Sequence, residues 1–197
     1  MKKSILLLLF VVMLVFSACA NPAKQTEETP AAQATETPVE LPVKAENPYM
    51  QAAITEALDG ITHHHGGPFG AVIVKNGSIV GQGHNRVLAD NDPTCHGEVS
   101  AIRNACAALK TYDLSGCELY TTGEPCPMCL FACMWANIDK VYYGCTIGDN
   151  AMIGFRDEKF DELAGGREKL ADYLVCIDRE ACLALFEAYR NMEHITY

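Results

Sequence analysis

The feature that most constrains this chain is a pair of short motifs about thirty residues apart. His96-Gly97-Glu98 opens the stretch HGEVSAIRNACAALK, and Cys126-Pro127-Met128-Cys129 follows in GEPCPMC. The first stretch is patterned as an amphipathic helix, with Val99, Ile102, Ala105, Ala108 and Leu109 on one face. The second reads as a helix whose Pro127 lies in the first turn, where proline is tolerated. Each motif therefore stands at a helix N-terminus, where unpaired N–H groups and positive dipole favour anionic ligands such as thiolates. Cys126 and Cys129, at i and i+3, share one face of theirs. If the two N-termini lie side by side, one nitrogen and two sulfurs meet at a single zinc. Three protein ligands leave a fourth position for water, the arrangement of a catalytic rather than a closed structural site. Zinc brings the pKa of such a water to about 7. Glu98 is then no ligand but a carboxylate beside that water, able to take its proton and pass it to a leaving group. The plainer alternative makes His96 a helix cap and the cysteines core residues or a disulfide.

The rest of the domain sets the frame. YMQAAITEALDG reads as a first helix ending near Gly60, and PFGAVIVKNGSIVGQGHNRV as a β-hairpin turning at Asn76-Gly77. CELYTT, DKVYYGCT and YLVCID read as strands. FRDEKFDELAG reads as a polar helix or turn, and REACLALFEAYRNM as a closing helix. The order α-β-β-α-β-α-β-α-β-α predicts an α/β fold, a three-layer α/β/α sandwich around a mixed five-stranded sheet.

Residues 1–19 are expected to be a lipoprotein signal peptide: Lys2 and Lys3 precede an apolar run, and FSAC resembles a lipobox that lipidates Cys19. An uncleaved N-terminal anchor is the alternative. Either reading makes the domain extracytoplasmic and membrane-tethered, on the surface of a bacterium. Residues 20–47, rich in Ala, Thr, Glu and Pro, read as a disordered linker. Residues 48–197 remain as one folded domain.

A net charge of −10 offers no footprint for a polyanion, which argues against a nucleic-acid substrate and suits a small molecule. Apart from Cys19, nine cysteines remain, an odd count that does not suit a disulfide framework. Cys133, one turn past Cys129 in LFACMW, reads as a buried thiol rather than a competing ligand. The run His63-His64-His65 reads as a solvated loop, and His84 as an ordinary hairpin residue.

His-x-Glu followed by Pro-Cys-x-x-Cys is the signature of zinc deaminases that act on bases. With GGPFGAVIVKNG, NDPTCHGEVSAIR, EPCPMC and Trp135-Ala136, residues 48–197 resemble the cytidine-deaminase superfamily and, within it, the bacterial guanine deaminases. The resemblance implies one Zn²⁺ per chain on His96, Cys126 and Cys129, with Glu98 as the catalytic proton shuttle. It further implies a nucleobase site: Phe69 stacking on the base, Asn85 hydrogen-bonding the purine, and Gly97 offering its N–H. Trp135 would wall the pocket, Asp157 would read guanine, and Tyr197 would close the site. It also implies a homodimer that exchanges C-terminal segments. Each position has a plainer use: Phe69 as core, Asn85 in a turn, Asp157 solvated, Tyr197 frayed. Where the family usually has alanine this chain has Gly97, which is expected to widen the pocket. The resemblance implies hydrolysis of guanine to xanthine and ammonia. Deamination of guanosine, cytosine, cytidine, a modified purine or adenosine in tRNA, and a lipoprotein that binds a nucleobase or zinc without chemistry, are the competing readings.

Overall fold

The computed structural model describes residues 39–164 and 173–194; Cys19, most of the linker and Tyr197 lie outside these. Helix α1 runs Pro48–Thr62, strands β1 Gly70–Lys75 and β2 Ser78–His84, helices α2 Val87–Asp90 and α3 Gly97–Leu109, and strand β3 Cys117–Gly123. Then come α4 Pro127–Trp135, β4 Lys140–Cys145, α5 Ile147–Met152, α6 Asp157–Ala164, β5 Leu174–Cys176 and α7 Arg179–Arg190. The sheet order is β2-β1-β3-β4-β5. β1 pairs antiparallel with both β2 and β3, while β3–β4 and β4–β5 are parallel. The sheet is thus mixed and five-stranded, as expected.

Strand alternation supplies two cores. Val72, Val74 and Tyr120 face one way and pack with Met50, Ile54 and Ile61 of α1 and Leu185 and Phe186 of α7. Ala71, Ile73, Leu119 and Val141 face the other way and pack with Ala101 and Ala105 of α3 and Leu130 and Cys133 of α4. Helices therefore cover both faces, which is the three-layer sandwich.

Local chemistry fixes the elements. Asn47 caps α1 by accepting from the N–H groups of Tyr49 and Met50, with Pro48 at the first helical position. Asn76 and Gly77 both take positive φ, 50° and 75°, as a two-residue type I′ hairpin turn requires. Two short helices were not foreseen. α2 is a single turn, and α5 is six residues fixed by a capping box in which the Thr146 and Asp149 side chains bond each other's backbone N–H. Among the described residues the nine cysteines are free thiols, most of them buried.

Candidate active site

The site lies beyond the C-terminal ends of the parallel strands β3 and β4, where open α/β sheets place their ligands. β3 ends at Gly123 and leads through Glu124 and Pro125 into α4, so Cys126 becomes the N-cap of that helix and Cys129 lies in its first turn. His96 is the N-cap of α3. Neither His96 nor Cys126 makes a side-chain cap hydrogen bond. Each turns from its own helix toward the other, with His96 Nδ1 3.7 Å from Cys126 Sγ. This removes the reading of His96 as a mere cap. Ligand atoms of His96, Cys126 and Cys129 lie within 4.8 Å of one another. One imidazole and two thiols at two helix N-termini fit a zinc with an open position. Cys133 of α4 is fully buried in the apolar core.

Electrostatics suit the same reading. A hydrogen bond from Cys129, against the cost of burial and aided by His96, holds the Cys126 thiol down at about 4, in the range of reactive thiolates. Cys129 moves the other way, well above its ordinary value, because it shares its proton with Cys126 and is buried. Burial lowers His96, but the hydrogen bond and charge of Cys126 outweigh it and raise the ring's pKa. Glu98, in the first turn of α3 and only 5% exposed, is pushed up to about 7 by burial and then by the charge of Cys126. A carboxyl poised near neutrality is suited to both taking and giving a proton.

A cleft of about 640 Å³ opens over His96 and Cys126, lined also by Val87, Phe155, Asp157 and Phe160 among others. Asp157, the first residue of α6, shares it with two of the three candidate ligands. Its Oδ2 accepts a hydrogen bond of 3.1 Å from Asn150 Nδ2. Asn150 is fully buried and also reaches the Glu124 carbonyl at 3.4 Å, while the Glu124 carboxylate accepts from Ile147 N–H at 2.9 Å. The turns after β3 and β4 are thereby joined behind the cleft.

The remaining expected residues are placed differently. The Phe69 ring packs edge-on against Phe155 at 4.8 Å and Phe186 at 5.5 Å, one ring behind the cleft wall that Phe155 forms. Asn85 is 1% exposed, and its Oδ1 accepts from Val87 N–H. Trp135, the last residue of α4, is 86% exposed and is not part of the cleft lining within one chain. The expectation that Gly97 widens the pocket is corrected. A Cβ there would lie 2.7 Å from the Phe69 carbonyl oxygen, so the glycine admits close approach of backbone rather than space for a ligand. Asn150, Glu124 and the aromatic lining at Phe155 and Phe160 went unread in the sequence. The Thr146–Asp149 capping box was the available signal for the turn that carries Asn150.

His63 and His64 are exposed and His84 ends the hairpin strand β2, as expected, but His65 is half-buried, with Nδ1 2.8 Å from His84 Nε2, and is not simply solvated.

Comparison with known proteins agrees with this geometry. Residues 43–145 match the family described as the cytidine and deoxycytidylate deaminase zinc-binding region. The chain is 44% identical over 147 residues to guanine deaminase of Bacillus subtilis, spanning 73% of this chain and 92% of that protein. The crystal structure of that B. subtilis enzyme superposes with a TM-score of 0.57 at 41% identity, over 76% of this chain and 96% of its own. A structure of guanine deaminase from Nitrosomonas europaea gives a TM-score of 0.63 at 27% identity, over 76% of this chain and 87% of its own.

Proposed function

The chain belongs to the cytidine and deoxycytidylate deaminase zinc-binding family, and we propose that it hydrolyses guanine to xanthine and ammonia. The observation that carries this reading is the placement of Asp157 in the same cleft as His96 and Cys126. Guanine presents a ring N–H and an amino group along one edge, and an ionised carboxylate accepts from both. Adenine and cytosine do not present that pair of donors.

His96, Cys126 and Cys129 hold the zinc. When bound, zinc supplies Lewis acidity and a water acidic enough to act as nucleophile near neutral pH. Glu98 accepts a proton as water adds to the amino-bearing ring carbon, delivers it to the adjacent ring nitrogen, and relays the second proton to the amine. The carbon–nitrogen bond then breaks and ammonia leaves. Asp157, held by Asn150, orients the base, and Phe155 and Phe160 give it apolar walls. Phe69 supports Phe155 from behind.

The finer reading of assembly rests on α4. Its outer face leaves Phe131, Met134 and Trp135 exposed, an apolar patch suited to burial against a second copy. A homodimer across this face would bury Trp135 against the second copy. The N-terminal sequence supports a lipoprotein signal with Cys19 as the anchor and placement outside the cytoplasm.

The test is ammonia release by the zinc-loaded chain across guanine, guanosine, adenine, adenosine, cytosine and cytidine. Release from guanine above all others supports the reading. Preference for another member keeps the chemistry and discards the role given to Asp157.

A further inference from the structure

The histidine run contributes to a second cluster that shares no residue with the active site. Asp59 stands in the last turn of α1, His65 in the loop after it, and His84 at the end of β2. Their ligand atoms lie within 4.8 Å of one another. We propose that these three residues form a second metal site, for a divalent cation of the nickel, copper and zinc class.

The arrangement is built rather than loose. The His65 N–H bonds the Gly60 carbonyl at 2.9 Å, and the His65 carbonyl accepts from Leu88 and Ala89 of α2 at 3.0 and 3.1 Å. The backbone of His65 is thus held on both sides. The His84 ring lies against Gly60 so closely that a Cβ there would be 2.7 Å from its Cδ2. The two rings stack with an interplanar angle of 18° and centroids 5.1 Å apart. Their facing nitrogens are 2.8 Å apart. Two imidazole nitrogens each bound at 2.0–2.1 Å with tetrahedral angles stand about 3.3 Å apart, so a shift of roughly half an ångström admits an ion.

The surrounding charge favours a cation. His84 Nδ1 faces Glu56 at 3.2 Å and Asp59 at 3.8 Å, and His63 pairs with the other oxygen of Asp59 at 3.2 Å. One positive group intrudes: Arg86 Nη1 is 3.3 Å from His65 Nδ1. Its guanidinium is balanced by Asp90, which it meets through Nε at 3.0 Å and Nη2 at 2.8 Å. The Asp59 side chain is 54% exposed, which leaves the cluster open to solvent and to an entering ion. Imidazole with carboxylate and no thiolate suits nickel, copper or zinc better than calcium or magnesium. A bound ion would join α1, the following loop and the edge strand β2.

The test uses the full chain loaded with one zinc, desalted, and titrated with Ni²⁺ by calorimetry, with both metals counted by mass spectrometry. The expected result is one nickel per chain in addition to the zinc. His84→Ala should abolish it. Asp59→Asn, an exposed change that leaves the core untouched, should weaken it at least about tenfold. His63→Ala should change affinity less than threefold. The proposal is overturned if no nickel binds beyond the zinc. It is also overturned if His63→Ala abolishes binding while Asp59→Asn does not, which would put the ion on the loop histidines alone. Metal content is read separately from turnover, so failure here leaves the deaminase reading intact.

Discussion

The amide of Asn150 donates to the carboxylate of Asp157 at 3.1 Å, from a fully buried position seven residues back in the chain. The contact fixes the direction in which Asp157 meets the cleft. Asn150→Ala is therefore expected to raise KM for guanine about tenfold or more, the cost of one charge-assisted hydrogen bond. Zinc content should stay at one per chain, because Asn150 touches no candidate ligand among the contacts seen. Steady-state kinetics beside metal analysis checks this.

Gly97→Ala tests a close approach. The added Cβ would meet the Phe69 carbonyl oxygen at 2.7 Å. The α3 N-terminus or the Phe69 backbone must then shift, at an expected cost of about 1–3 kcal/mol, read from urea denaturation. A variant as stable as the parent would mean that this contact relaxes freely.

Asp149 ties α5 to its surroundings. It accepts from the backbone and hydroxyl of Thr146, at 2.9 and 2.8 Å, and from Arg179. Asp149→Ala is expected to destabilise the fold by about 2 kcal/mol. Arg179→Ala should cost less, because that side chain is 45% exposed. Parallel denaturation curves compare the two.

The loop before His96 carries a pH dependence. Hydrogen bonds from the Thr94 side chain and backbone, and from Cys95, lower the Asp92 carboxyl from 3.8 to about 2. The group is depressed on folding, so its contribution is complete above pH 3.8 and is lost as pH falls through about 2. Asp92→Asn should flatten the fall in stability across that window and leave stability near neutral pH less changed in slope. Denaturation midpoints between pH 5 and 2 measure it.

Much of this was legible in the chain. The two motifs were legible as helix openings that could meet, and the structure brings His96, Cys126 and Cys129 together, with Glu98 in the first turn of α3. The hairpin was equally plain, since Asn76-Gly77 supplies the positive φ that a tight turn needs. α2 and α5 were not, because four and six residues are too short to show a helical period. The His65–His84 contact joins residues nineteen apart through the packing of α1 on the sheet, which no local pattern announces. The same holds for Asn150 and Asp157, whose meeting depends on how the turn after β4 folds back. Phe69 was recognisable as an aromatic near the site, but its place behind Phe155 rather than in the open cleft is a matter of packing. Trp135 belongs to a helix face exposed in the single chain, and the sequence motif carries no sign of that.

The central claim is that Glu98 moves protons for a reaction at the His96–Cys126–Cys129 centre. The measurement is guanine turnover by Glu98→Gln in protein shown to hold one zinc per chain. The account predicts that kcat falls by about 10²–10⁴ while guanine still binds, since glutamine keeps the shape but carries no proton. Turnover within threefold of the parent enzyme would contradict it.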